Sequence, residues 1–174
     1  DGFFYRGQEV AVVGAGDSAC EEASYLAKLC TKVHMLVRRD QMRASKAMQH
    51  RVMGMDNIEI HWNTETVDIL GAEQVEGAKV RNNQTGEETV LPVTGFFLAI
   101  GHKPNTDIFA GQIDLDEEGY IIATKPGSAY TNVEGVFWSG DACDKTYRQA
   151  ITAAGSGCMA ALDAERWLAA KGLH

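Results

Sequence analysis

Residues 9–19 read Glu-Val-Ala-Val-Val-Gly-Ala-Gly-Asp-Ser-Ala, a β-branched run that ends in a Gly-x-Gly-x-x-Ala turn. Such a run fits a strand buried on both faces of a parallel sheet, and the glycines mark where it turns into a helix. Gly14 makes the tight turn, Gly16 lets backbone approach a pyrophosphate, and Ala19 lets the helix pack close to the strand. From Asp17 onward Ala19, Ala23, Leu26 and Cys30 recur at helical spacing. Asp17 and Ser18 suit the helix start, and Glu21 and Glu22 stand where the helix dipole favours acid. Val33 to Val37 is a second strand, which completes a β-α-β crossover and predicts an α/β fold on a parallel sheet. The helix start offers free N–H groups and a partial positive charge, enough to hold a dinucleotide's pyrophosphate without a basic side chain. In this context dinucleotide binding outweighs a purely structural glycine turn.

At the end of the second strand an NAD-binding unit places an acid that accepts from the ribose 2′-hydroxyl. This sequence has Arg38 and Arg39 there, with Arg43 one helical turn further on. Guanidiniums favour a 2′-phosphate, which they clamp through charge-assisted and partly bidentate bonds, so the cluster predicts NADPH in preference to NADH. The competing reading is a solvated basic patch. Asp40 reads as the N-cap of a second helix running to about Gly54 rather than as the ribose acid.

Further along, residues 57–62 alternate like a strand, and 65–70, 75–82 and 89–93 read as an antiparallel meander whose turn is Asn83-Gln-Thr-Gly86. The apolar stretch 95–101 predicts a fully buried central strand, broken by His102-Lys-Pro104-Asn. A domain boundary is placed near residue 107. Beyond it, strand candidates at 113–115, 120–124 and 135–139 precede a long helix over 147–170. Trp138-Ser-Gly140-Asp141 closes the last of these strands, which puts backbone donors and a carboxylate at a strand's C-terminal end. In the final helix Ala150, Ala154, Gly157, Cys158, Ala161 and Leu168 form a stripe of mostly small residues, read as a close-packing face.

Charge narrows the partners. Against 24 acidic residues stand 16 lysines and arginines, a net charge of −8 in 174 residues, which disfavours nucleic acid and anionic membrane surfaces. No apolar run approaches the roughly 20 residues of a spanning helix, and a cytoplasmic location is expected. Cys20, Cys30, Cys143 and Cys158 form no CxxC pair and no zinc spacing, so they are expected to pack as small apolar side chains. His34, His50, His61, His102 and His174 are scattered without ligand spacing, and no metal site is expected. His102 is the partial exception, since it follows Gly101 at the mouth of a strand where cofactors approach.

Taken in order, five segments closely resemble the signatures of the low-molecular-weight, bacterial-type thioredoxin reductases along essentially the whole chain. They are Asp1-Gly-Phe-Phe-Tyr5, Gly14 to Ala19, Arg38-Arg-Asp-Gln-Met-Arg-Ala44, Ala99-Ile-Gly-His102 with Pro104-Asn-Thr106, and Gly140-Asp141 followed by Tyr147-Arg-Gln-Ala-Ile-Thr152. The resemblance implies a Rossmann-like NADPH-binding domain with a β-meander over 1–107. Residues 108–174 would then be the C-terminal segment of an FAD-binding domain whose N-terminal half is absent. By position, Gly14, Gly16, Asp17, Ser18 and Ala19 would hold the pyrophosphate, and Arg38, Arg39 and Arg43 the 2′-phosphate. Ile100 and Gly101 would lie against cofactor, and Gly140, Asp141, Arg148, Gln149 and Ala150 would contact FAD. Asp1 is similar to the family's proton donor beside the redox disulfide. Val37 departs from the family, which often has His before the arginine pair.

The implied reaction carries hydride from NADPH to FAD and then electrons to a redox disulfide and thioredoxin. The sequence contains no CxxC, so the chain alone is expected to be inactive while still binding NADPH, with FAD held only in the complete parent enzyme. Its C-terminal segment is expected to expose apolar surface and to associate as a homo-oligomer. Two other readings stay open on the sequence. One is an NADPH-dependent flavin oxidoreductase without CxxC, similar to the ferredoxin–NADP reductases; the other is a non-enzymatic NADPH-sensing module.

Overall fold

A computed structural model describes residues 1–173, which divide into two compact units, Asp1–Gly101 and the segment from His102 onward. His174 lies outside the described residues. The sequence places the boundary near 107, but residues 102–107 go with the second unit, where the buried Thr106 hydroxyl donates to the Gly119 carbonyl.

The first unit opens with a single 3₁₀ turn, Gly2–Tyr5, and continues through β1 (Glu9–Val13), α1 (Asp17–Leu26), β2 (Lys32–Val37), α2 (Lys46–Met53) and β3 (Ile58–Trp62). Then follow β4 (Thr64–Leu70), β5 (Gly77–Asn82), β6 (Glu88–Leu91) and β7 (Gly95–Leu98). Four strands form a parallel sheet in the order β3-β2-β1-β7, and β4-β5-β6 form an antiparallel one.

Strand alternation explains the layers. Val10, Val12, Val33, Met35 and Val37 pack with Ala19, Cys20, Ala23 and Leu26 of α1 and Val52 of α2, whereas Ala11 and Leu36 point the other way onto Ala78, Val80, Leu91 and Val93. Full burial of each large aliphatic side chain contributes about 1.5–3 kcal/mol, so β1 and β2, covered on both faces, anchor the unit.

Three expectations change here. The apolar stretch 95–101 is not a central strand: β7 stands at the sheet edge, paired only to β1, with Leu98 and Ile100 exposed. Asp40 does not cap a helix. The second helix starts later, at Ser45, whose Oγ accepts the Met48 N–H at 3.4 Å, because the Arg43 and Ala44 N–H groups are committed to the Ala15 carbonyl. Of the cysteines, Cys20 and Cys30 are buried as expected, but Cys143 is half-buried and Cys158 exposed.

In the second unit the three strand candidates reduce to isolated antiparallel bridges, Leu115 with Ile121 and Tyr130 with Phe137. Its one long helix, α3 (Ala150–Ala170), starts after the predicted Tyr147 because Arg148 sits in the left-handed region at φ +49°. Asp163 anchors α3: its buried carboxylate accepts the Ala129 N–H at 2.8 Å. The small-residue stripe of α3, Leu168 included, is exposed except at half-buried Gly157, and Ile151 and Leu162 are exposed as well. Among the described residues no helix is long and apolar enough to cross a membrane.

Candidate functional site

The Gly-rich turn is closely packed at its first glycine. Gly14 adopts φ +146°, and its N–H donates to the Leu36 carbonyl at 3.1 Å. A Cβ on Gly14 would press into the Ala99 carbonyl and stand 2.8 Å from the Ala19 Cβ, so close helix packing and glycine are one requirement. Gly16 differs. It is the N-cap of α1 with an ordinary φ of −93°, and a Cβ there would meet nothing within 4 Å. Open space over a helix N-terminus is where an anion can sit against free N–H groups.

Hydrogen bonds tie this turn to the arginine segment. The Arg43 and Ala44 N–H groups donate to the Ala15 carbonyl at 2.8 and 3.0 Å, and the Ser45 N–H donates to Asp17 Oδ1 at 2.8 Å. Asp17 is therefore a brace, a role its place in the motif did not reveal. Arg38 and Arg39 line an open cleft of about 610 Å³ together with Asp40, Asn63, Asn83 and Gln84. Their backbone is pinned: Asn83 Nδ2 donates to the Arg38 carbonyl at 2.8 Å, the Asn63 N–H donates to the Arg39 carbonyl at 3.1 Å, and the Asn83 N–H donates to the Asn63 carbonyl at 2.7 Å. Asn63 holds φ +53°, a conformation asparagine tolerates better than most residues. Arg43 is exposed and does not line the cleft; its backbone contact with Ala15 is what joins it to the glycine turn. Asp1 and Ile100 are exposed and line neither this cleft nor the one in the second unit, and Gly101 follows Ile100 with φ +104°.

Within the second unit Asp141 and Arg148 line a cleft of about 310 Å³ with His102, Lys103, Pro104, Asn105, Tyr120 and Ala142. His102 thus shares a cleft with two of the residues expected at FAD. Gly140, at φ +69°, donates its N–H to Ser156 Oγ of α3 at 2.9 Å, and Gln149 is the N-cap of the helix that Ala150 begins. Asp144 organises the loop between. Its carboxylate accepts the N–H groups of Thr146, Tyr147 and Arg148 and the Thr152 hydroxyl, and these bonds, the Tyr147 N–H first, hold it below the usual aspartate range. A depressed folded-state value means that the loop's stabilisation is present above the ordinary aspartate pKa and is lost as pH falls through the lowered one. Amide-exchange protection at Thr146 to Arg148, taken relative to the intrinsic base-catalysed rate at each pH, is therefore expected to be high at neutral pH and to fall in acid, and Asp144→Asn should remove most of that pH dependence.

The five histidines, unpatterned in sequence, are not all apart in space. His34 and His61 share a ring-to-ring hydrogen bond across β2 and β3. Burial pushes His61 below the ordinary imidazole value, only partly opposed by Glu59. Strand pairing brought these two together, and only knowledge of the register would have revealed it.

A parallel sheet with a glycine turn at its first crossover, an arginine pair after its second strand and an antiparallel sheet on one face define a Rossmann-like α/β module. The profile of the pyridine nucleotide-disulphide oxidoreductases matches residues 3–157, and the chain belongs to that family. It is 52% identical over 170 residues to a thioredoxin reductase of Streptomyces coelicolor, covering 98% of this chain and 52% of that one. It is 54% identical over 171 residues to the NADPH-dependent thioredoxin reductase 3 of Arabidopsis thaliana, covering 97% and 32%. Among solved structures, thioredoxin reductase from Giardia duodenalis matches with a TM-score of 0.82 and 47% identity, covering 97% of this chain and 55% of that one. The chain thus spans about half the length of the Streptomyces relative.

Proposed function

We propose that this chain is the NADPH-binding part, with the C-terminal flavin-contacting segment, of a flavin-dependent thioredoxin-disulfide reductase. The observation that carries the reading is the bonding of the Gly14–Gly16 turn to the arginine segment: Ala15 and Asp17 accept the N–H groups of Arg43, Ala44 and Ser45. One rigid element therefore presents a helix N-terminus and an arginine cluster to the same extended ligand. The residues present fit NADPH: the space over Gly16 is open, and Arg38 and Arg39 flank a cleft of suitable size.

In this reading Gly14, Gly16, Asp17, Ser18 and Ala19 hold the pyrophosphate, Arg38, Arg39 and Arg43 bind the 2′-phosphate, and Ile100 and Gly101 border the cofactor. Gly140, Asp141, Arg148, Gln149 and Ala150 contact FAD; Arg148 is pre-set for this by Asp144 and by its own bond to the Tyr120 hydroxyl at 3.4 Å. Asp1 serves the redox disulfide as proton donor. The chemistry these cofactors supply is hydride transfer from nicotinamide to flavin and onward to a disulfide, with thioredoxin as final acceptor. A cytoplasmic homo-oligomer, associating through the exposed apolar residues of α3, belongs to the same reading.

Calorimetric titration of the purified chain with NADPH and NADH tests it, together with an absorbance spectrum. The expected result is NADPH binding in the micromolar range, with NADH at least about tenfold weaker for want of the charge-assisted bonds to the 2′-phosphate. Equal affinity for the two nucleotides would overturn the assignment.

A further inference from the structure

Charged and polar side chains of three adjacent strands meet on the side of the parallel sheet that carries Ala11 and Leu36. They are Glu9 of β1, Lys32 and His34 of β2, and Glu59 and His61 of β3. The register puts Glu9 opposite Lys32 and His34 opposite Glu59. His34 Nδ1 lies 2.9 Å from His61 Nε2, His34 Nε2 lies 3.2 Å from Glu9 Oε2, and Glu59 Oε1 lies 3.6 Å from His61 Nε2. The other Glu59 oxygen pairs with Lys32. The His34 side chain is 4% exposed and that of His61 20%, while Glu59 at 48% opens the cluster to solvent.

Chemistry orders these atoms. The Glu9 carboxylate can only accept, so His34 Nε2 carries the hydrogen and the Nδ1 lone pair faces His61. An imidazole whose second ring nitrogen donates to a carboxylate is in the state that metal-ligating histidines adopt. Two imidazole nitrogens bound to one tetrahedral zinc-class ion at 2.0–2.1 Å stand roughly 3.3 Å apart, a few tenths of an ångström beyond their present spacing. Opening that gap breaks the ring-to-ring bond, and the His61 hydrogen moves to Nδ1, a change of tautomer that leaves the ring neutral. Glu59 can offer Oε1 while its other oxygen stays on Lys32. The ligand atoms of His34, Glu59 and His61 already lie within 4.8 Å of one another.

We propose that His34 Nδ1, His61 Nε2 and Glu59 Oε1 form a binding site for a zinc-class divalent cation, with Glu9 holding His34 in its ligating tautomer and water completing the coordination. Two imidazoles and one carboxylate suit late first-row ions rather than magnesium or calcium. The ion would brace β2 to β3. The site shares no residue with the arginine-lined cleft, and it reverses the expectation of no metal drawn from the spacing of the histidines in sequence.

Cobalt(II), as a spectroscopic stand-in, tests this on the 174-residue chain. One equivalent is expected to give the visible d–d bands of a low-coordinate ion without thiolate charge transfer, to be displaced by zinc, and to raise the thermal midpoint. His61→Gln and Glu59→Gln should each abolish the bands; both positions are partly exposed, and an unchanged far-UV spectrum shows that the fold persists. Glu9→Ala should weaken binding roughly 10- to 100-fold. No cobalt spectrum, a spectrum that survives His61→Gln, or thiolate bands assigning the metal to cysteine would each overturn the proposal.

Discussion

The Gly14→Ala variant is expected to lose about 3–5 kcal/mol of stability, the combined cost of a strained backbone and an overpacked contact. At φ +146° an L side chain is strained whatever the space around it, and here there is none. The new Cβ would meet the Ala99 carbonyl and the Ala19 Cβ, and neither can retreat. Ala99 is tied to the sheet through its N–H, which donates to the Val13 carbonyl at 2.8 Å, and Ala19 is a fully buried residue of α1. Chemical denaturation reads the loss directly, and for a unit of this size it should appear as a fall of roughly 15 °C or more in the thermal midpoint. Gly16→Ala is the comparison. Its φ of −93° is ordinary and its Cβ meets nothing within 4 Å, so stability should fall by no more than about 1 kcal/mol for the weaker cap, while on the proposed site NADPH binding falls, because the methyl group would enter the space assigned to the pyrophosphate. A Gly14→Ala protein within about 1 kcal/mol of the parent would show that the turn can relax and that close packing of α1 is not what fixes this glycine.

The contrast between these glycines marks the limit of what local sequence reveals. The order strand, glycine turn, helix, strand was legible because each link is local: β-branched residues for β1, alanines at helical spacing for α1, and a second apolar run for β2. The meander was legible for the same reason, its turn residues standing between alternating runs. Edge placement was not. Residues 95–101 are as apolar as a central strand, but sheet order depends on pairing between distant segments, and β7 has a single neighbour. Asp40 misled because its cap-like character competes with a distant acceptor: the Ala15 carbonyl takes the Arg43 and Ala44 N–H groups and postpones the helix to Ser45.

Side-chain convergence across strands was the least legible feature of all. Asn83 reads as a turn residue and Asn63 carries no signal in the sequence, yet they hold the backbone of Arg38 and Arg39; His34 and His61 read as unrelated, yet their rings touch. In the second unit short strand-like runs became isolated bridges, because side-chain bonds such as those of Asp116, Thr131 and Asp144 satisfy backbone groups that strand pairing would otherwise have taken.

The Arg38→Ala, Arg39→Ala double variant is expected to bind NADPH roughly a hundredfold more weakly while its affinity for NADH changes by no more than about twofold. A hydrogen bond to a charged group contributes about 1.5–3 kcal/mol, and the open cleft places both arginines at the lower end because solvent and salt screen them. The fold should be indifferent to the change. What Arg38 and Arg39 give the surrounding structure is backbone: their carbonyls accept from Asn83 and Asn63, and alanine keeps both bonds. Arg43→Ala should cost less, since Arg43 lies outside the cleft. Ionic strength supplies an independent check. Added salt should erode the parent's NADPH affinity more steeply than that of the double variant, because a dianion held by guanidiniums is what the salt screens. A double variant that keeps its preference for NADPH would assign the arginines to a solvated surface and move the selection of the nucleotide elsewhere in the cleft, to the amides of Asn63, Asn83 and Gln84.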